Sequence, residues 1–339
     1  MEQIITALLL ENTSKQKQGH YKDLYDTFTG QYELLMQNEA TVDPGLKLNY
    51  LNEYANLCNI FGDSKRALQL CAQAWEIEPN AVSLNYIAMG IGALGYTAEA
   101  ITYSEKSLAM YRAEFGEQHP DVATLLNNIG FAYADLRQYA QAQLYHEQAL
   151  EIRKSLGSEY KADIAQSYNN LGMVALARAE YVTAKGYLED SLSLRKKVLG
   201  AIHPDVSICI NNLGLLALKQ RQYQMALNYF DEAYAMRLET FDTAEQPAVM
   251  RSHFYKASCY IHLGLEEQAL AITEAVLAYR ESIYDCGHAE ILQVLRQLLV
   301  LTEKLGLVEQ SIQYQKRLAH DQLPAFAALH AYLSSRRAI

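Results

Sequence analysis

A chain of 339 residues, half of them hydrophobic, with 29 basic against 39 acidic residues and a net charge of -10, is suited to a soluble helical scaffold and is not expected to bind nucleic acid. Its longest apolar opening, Ile4 to Leu10, is too short to span a bilayer, and Glu2 with no early Lys or Arg is unlike a secretory leader. A cytoplasmic protein with no membrane partner is therefore expected.

Residues 1–45 carry Ile4, Ile5, Leu8 and Leu9, then Tyr21, Leu24, Tyr25, Phe28, Tyr32 and Leu35, at helical spacing, which predicts two N-terminal capping helices. From residue 46 a register of small residues begins with Ala55/Ala67 and Ala88/Ala100, linked through Glu78-Pro79-Asn80. The pattern then sharpens. Asn127-Asn128 precedes Gly130, Asn169-Asn170 precedes Gly172, and Asn211-Asn212 precedes Gly214, each forty-two residues from the last. The segments Tyr139-Ala140-Gln141-Ala142, Tyr181-Val182-Thr183-Ala184 and Tyr223-Gln224-Met225-Ala226 repeat with them, followed by Ala149, Ser191 or Ala233 and by Arg153, Arg195 and Arg237. Small residues at these positions let two helices approach closely, so each copy reads as a helix pair. Ala257/Ala269 and Leu299/Ser311 continue the register to about residue 320, making seven pairs over 46–320. Residues 321–339, with Phe326, Leu329, His330 and Leu333 on one helical face, are expected to cap the far end. The longer units have room for about two extra helical turns or a longer loop.

The linker His119-Pro120-Asp121-Val122, its copy His203-Pro204-Asp205-Val206, the Asn-Asn-Leu-Gly core and the ending Glu151-Ile152-Arg153-Lys154-Ser155-Leu156-Gly157 resemble the tetratricopeptide repeat in the long variant of kinesin light chain. The resemblance is strongest over 119–242. It implies an all-α, right-handed superhelical solenoid of about seven tetratricopeptide-type helix pairs with helical caps. In the middle copy Tyr160-Lys161-Ala162-Asp163-Ile164 replaces the proline linker, so the helix start is expected at Asp163 or a neighbour.

No Gly-rich phosphate loop, GxSxG or HExxH pattern occurs, which points to a noncatalytic protein. The cysteines Cys58, Cys71, Cys209, Cys259 and Cys286 lack CxxC spacing and read as reduced core residues. Cys286-Gly287-His288 alone is too little for a metal, and no cofactor is expected. In the resembled fold the first helix of each pair lines the concave side. Stepping by three and four residues gives Thr124, Asn128, Phe131 and Asp135 in one unit, then Gln166, Asn170, Met173 and Ala177, then Ile208, Asn212, Leu215 and Lys219. An Asn amide matches the N–H and C=O of an extended peptide, and the resemblance implies Asn128, Asn170 and Asn212 as peptide-backbone contacts. Asn127, Asn169 and Asn211 recur equally, so either member of a pair could instead join neighbouring helices. Phe131, Met173 and Leu215 would receive apolar side chains, while Lys219, Arg251 and His262 would favour an acidic segment; upstream, Glu53, Tyr86 and Asp135 give the face uneven polarity. The expected partner is a protein or peptide segment, acidic or aromatic in character, bound by an adaptor. Two alternatives stay open. One is a peptide-responsive regulator resembling the intracellular pheromone receptors of bacteria; the other is a self-assembling scaffold forming a homodimer through its array ends.

Overall fold

The computed structural model describes residues 2–18, 21–61, 63–241, 247–284 and 288–320, and every regular element among them is helical. The expected C-terminal cap over 321–339 and Cys286 lie outside the described residues. An initial pair, α1 (Glu2–Gln18) and α2 (Tyr21–Gln37), precedes seven further pairs. These are α3 (Pro44–Ile60) with α4 (Ser64–Ile77), α5 (Ala81–Ala93) with α6 (Thr97–Phe115), α7 (Pro120–Asp135) with α8 (Tyr139–Leu156), and α9 (Lys161–Ala177) with α10 (Tyr181–Leu199). There follow α11 (Pro204–Lys219) with α12 (Tyr223–Phe241), α13 (Pro247–Leu263) with α14 (Glu266–Ile283), and α15 (Ala289–Lys304) with α16 (Val308–His320). The chain divides into two compact units, Met1–Ser252 and His253–Ile339, with the boundary inside α13.

The first unit is a helical solenoid. Its small-residue register is buried throughout, at Ala55, Ala67, Ala88, Ala100, Ala142, Ala184 and Ala226 and at Gly130, Gly172 and Gly214. First helices also meet one another directly, α3 with α5, α7 with α9 and α9 with α11, more closely than the second helices do. Layers drawn together on one side make that side shorter, so this unit curves toward its first helices. In the second unit Ala257, Ala269 and Leu301 form a buried cluster flanked by Tyr260, Ile261, Leu270 and Ile272.

Helix starts follow from local chemistry. Asp43 and Asn80 accept the N–H of Leu46 (2.9 Å) and Ser83 (2.8 Å), a side-chain cap for otherwise unpaired donors. His119 and His203 cap through Nδ1, which accepts the N–H of Asp121 (3.3 Å) and Asp205 (3.1 Å), with Pro at the first helical position. His288 repeats the device toward Glu290 at 3.2 Å, without the proline. The middle copy differs from expectation. Here α9 starts at Lys161 after a single 3-10 turn over Ser158–Tyr160, with no side-chain cap, and Asp163 sits inside the first turn. Its carbonyl accepts from Arg153 at 2.9 Å, so a neighbouring helix rather than a local cap fastens this start. The extra length of the long units is shared: α4 has 14 residues against 19 in α6, α10 and α12, about one extra turn, with the rest in the links.

α1 and α2 are tied to the array by polar and aromatic contacts. Asn12 Nδ2 donates to Glu53 (2.7 Å), Tyr50 Oη to the Phe28 carbonyl (2.6 Å), and Tyr32 Oη to Gln73 Oε1 (3.0 Å), while the Phe28 and Tyr50 rings stack at 4.8 Å.

Each first helix from α5 to α15 ends on a residue with positive φ. Gly fills this place at Gly95, Gly264 and Gly306, but Arg137, Ala179 and Arg221 hold it at φ near 60°. An L side chain there costs about 1–2 kcal/mol, partly offset in glycine by its unfolded-state entropy. Ala179→Gly is therefore expected to stabilise by about 0.5–1 kcal/mol, read as a raised thermal midpoint; a lowered midpoint would show that the backbone there is not strained.

Candidate functional site

The Asn-Asn pairs form one continuous side-chain ladder across successive first helices. Asn128 Nδ2 donates to Asn85 Oδ1 (3.1 Å), Asn170 to Asn127 (2.6 Å) and Asn212 to Asn169 (2.8 Å), so the second asparagine of each repeat bonds the first asparagine of the repeat before it. Ser252 Oγ closes the series on Asn211 Oδ1 at 3.0 Å. Asn170 and Asn212 are buried, and Asn128 is half-buried. Asn85, one period upstream, was legible as a ladder member only by stepping back forty-two residues from Asn127.

A second buried system fastens the repeats and meets the ladder at Ser252. Arg153 donates to the Asp163 carbonyl and to Ser167 Oγ (2.8 Å), Arg195 to the Asp205 carbonyl (2.6 Å), and Arg237 to Ser207 Oγ (2.9 Å) and Ser252 Oγ (2.6 Å). Each guanidinium thus pins a second helix to the opening turns of neighbouring first helices. Burial, reinforced by the nearby Arg251 charge, lowers the Arg237 pKa to about 10. Within the second unit Arg280 follows the rule, donating to the Glu290 carbonyl (2.6 Å) and pairing with its carboxylate (2.7 Å). Sequence reasoning missed Arg280, although it lies forty-three residues after Arg237.

What the ladder leaves exposed is the surface beside it. Met89 and Phe131 are 37% and 45% exposed, and Met173 and Leu215 are half-buried against the core of the α9 to α12 region. These four occupy one register position on α5, α7, α9 and α11, each four residues after a ladder acceptor and so on the same helical face. Phe131 meets His146 edge-on, with ring centroids 5.4 Å apart. Thr124 is exposed, its hydroxyl donating to the Pro120 carbonyl (3.1 Å), and Gln166 is half-buried, accepting from Arg153 (3.2 Å). Lys219 and Arg251 are exposed. The first unit therefore carries Thr124, Asn128, Phe131, Gln166, Asn170, Met173, Asn212, Leu215, Lys219 and Arg251 on first helices, with the amides of Asn128, Asn170 and Asn212 donating between helices and the apolar row partly exposed beside them, whereas His262 falls in the second unit.

An Asn170→Ala substitution removes a donor from the buried Asn127 carbonyl oxygen, a loss of about 1–2 kcal/mol. A fall in the unfolding midpoint is expected; an unchanged midpoint would mean that the ladder contributes nothing to holding the repeats together.

No group of three or more His, Cys, Asp or Glu side chains suited to a metal occurs among the described residues, and no described helix is long and apolar enough to cross a membrane.

The family model for the tetratricopeptide repeat matches residues 80–155 and 163–239. No curated protein sequence matches the chain. Among solved structures, NprR in complex with its cognate peptide NprX is similar in fold, with a TM-score of 0.62 at 17% identity over 95% of this chain and 92% of that one. The APC/C hetero-tetramer Cut9-Hcn1 gives a TM-score of 0.61 at 16% identity over 97% of this chain and 55% of that one, so this chain spans about half its length. A putative kinesin light chain of Podosopora anserina, with nearly identical repeats of the same kind, gives a TM-score of 0.44 at 21% identity over 59% of this chain and 94% of that one.

Proposed function

Because residues 80–155 and 163–239 are tetratricopeptide repeats, this chain is a tetratricopeptide repeat protein, and from that premise we propose that it is a noncatalytic adaptor holding an extended segment of a partner protein against the first helices of its first unit. The observation that carries this reading is the apolar row Met89, Phe131, Met173 and Leu215, which crosses four consecutive repeats beside a ladder that fixes their register. Such a row on a curved helical face suits an extended chain better than a globular surface. The NprR structure with a similar fold holds a peptide, which agrees with this use of the fold. Residues 1–45 would cap the array over 46–320, in a cytoplasmic protein; the expected cap over 321–339 lies outside the described residues. The contacts of Asn12, Tyr32 and Tyr50 hold the first two helices onto the array, which favours the adaptor over a regulator that frees its N-terminal helices.

The test is affinity capture from the native host's lysate with the wild-type chain and a Phe131→Ser/Leu215→Ser variant of matched unfolding midpoint. A protein retained by wild type and lost by the variant is the expected result. Equal retention by both would remove the first-helix face as the docking surface.

A further inference from the structure

The spacing of the apolar row limits what can lie in it. Met89, Phe131, Met173 and Leu215 stand one per first helix, and the ladder bonds Asn128 to Asn85, Asn170 to Asn127 and Asn212 to Asn169 keep consecutive helices in one register. Packed helices lie about 8–10 Å apart, and the ladder bonds hold consecutive first helices within side-chain hydrogen-bonding reach, so the row is expected to offer a contact about every 9 Å. A β-strand returns a side chain to the same face about every 6.7 Å, so over three helix steps its fourth same-face side chain falls about 7 Å short of the last contact. An α-helix returns its heptad position about every 10.5 Å and carries a body about 10–12 Å wide. A polyproline II segment returns every third side chain after about 9.3 Å, which keeps step with the row across all four helices.

Charge beside the row adds a second constraint. One turn beyond Met89, Phe131, Met173 and Leu215 lie Ala93, Asp135, Ala177 and Lys219, all exposed. The flanking column thus carries an ammonium at α11, beside the last contact of the row. Resting on the docking role proposed above, we infer that the bound segment is polyproline II-like, with a large apolar side chain at every third residue and an acidic residue next to the one seated on Leu215. The row supplies affinity by apolar burial, and the Lys219 charge at one end of it selects the direction in which the segment lies.

Fluorescence polarisation with the full chain and labelled peptides of roughly twelve residues tests this. One peptide repeats Leu-Pro-Ser with an Asp after its last Leu; others of equal composition place Leu at every second position, at helical spacing, or at random. The period-three peptide is expected to bind at least tenfold more tightly than the others. Lys219→Glu is expected to weaken it at least threefold, and exchanging the peptide Asp for Lys is expected to recover that loss. Equal or tighter binding of the period-two or helical peptide overturns the spacing while leaving the docking face intact, and indifference to Lys219→Glu overturns the charge assignment. Binding of every peptide unaffected by Phe131→Ser/Leu215→Ser, or no peptide binding together with equal capture of partners by that variant, overturns both this inference and the docking face beneath it.

Discussion

Gly214→Ala lowers the stability of the first unit by about 3 kcal/mol, because the added methyl has nowhere to go. A Cβ at this position would stand 2.7 Å from Cε1, 2.9 Å from Cδ1 and 3.1 Å from Cζ of Phe230, whose ring is fully buried in the facing second helix. A rigid ring packed on all sides cannot retreat as the end of a flexible side chain would, so the strain passes to the separation of α11 and α12. The check is a thermal or urea melt of the variant beside one that also carries Phe230→Thr. The single change is expected to lower the midpoint, and the second change to recover part of the loss. If Gly214→Ala alone melts with the wild type, close approach at this glycine is not what sets the helix separation.

The choice of Thr in that rescue comes from a rule visible along the array. Sixteen residues after each small residue of a first helix stands its partner on the second: Ala55 and Cys71, Ala88 and Ser104, Gly130 and His146, Gly172 and Leu188, Gly214 and Phe230, and, within the second unit, Ala257 and Thr273. Where the first helix offers Ala the partner is small, and where it offers Gly the partner is large. Removing the Cβ of the first-helix residue opens the space over which a larger partner ring or branched chain can lie, so the two members of a pair change together.

Half of this rule was legible in the sequence. The period, the small residues and the number of helix pairs follow from spacing alone, since a 3.6-residue repeat with glycine and alanine at fixed intervals admits one packing. The partner positions were not legible, because His, Leu and Phe share no chemical type and only the structure shows them over the glycines. The Asn-Asn pairs posed a different difficulty. Sequence placed Asn128, Asn170 and Asn212 on one face but left two uses for their amides, backbone recognition or helix joining, and spacing is the same for both. The 43-residue separation of Asn170 from Asn127 in the ladder appears only when two repeats are stacked. The helix caps were partly legible: His-Pro-Asp announced two of them, whereas His288, followed by Ala289 rather than Pro, carried no such mark.

His146 makes the first unit acid-sensitive. Its side chain is fully buried over Gly130, Nδ1 lies 3.0 Å from Asn127 Oδ1, and that oxygen also accepts from Asn170, while Nε2 is buried with no hydrogen-bond partner. Burial, with a smaller contribution from the Arg153 charge, pushes its pKa down from 6.5 to about 4. In the unfolded chain the imidazole takes up a proton as pH falls through 6.5, whereas in the folded chain it resists until about pH 4. Over that window the unfolded state binds more protons, so stability present above pH 6.5 declines as pH falls and is lost by about pH 4, a change on the order of 3 kcal/mol. His146→Leu places in this repeat the residue that Leu188 supplies over Gly172 in the next, leaving Asn127 its bond from Asn170. Urea unfolding across that pH range is expected to show a steeper acid decline for the wild type than for His146→Leu. Parallel pH profiles would mean that the imidazole is hydrated or already charged in the folded protein, and would remove His146 as the source of acid sensitivity.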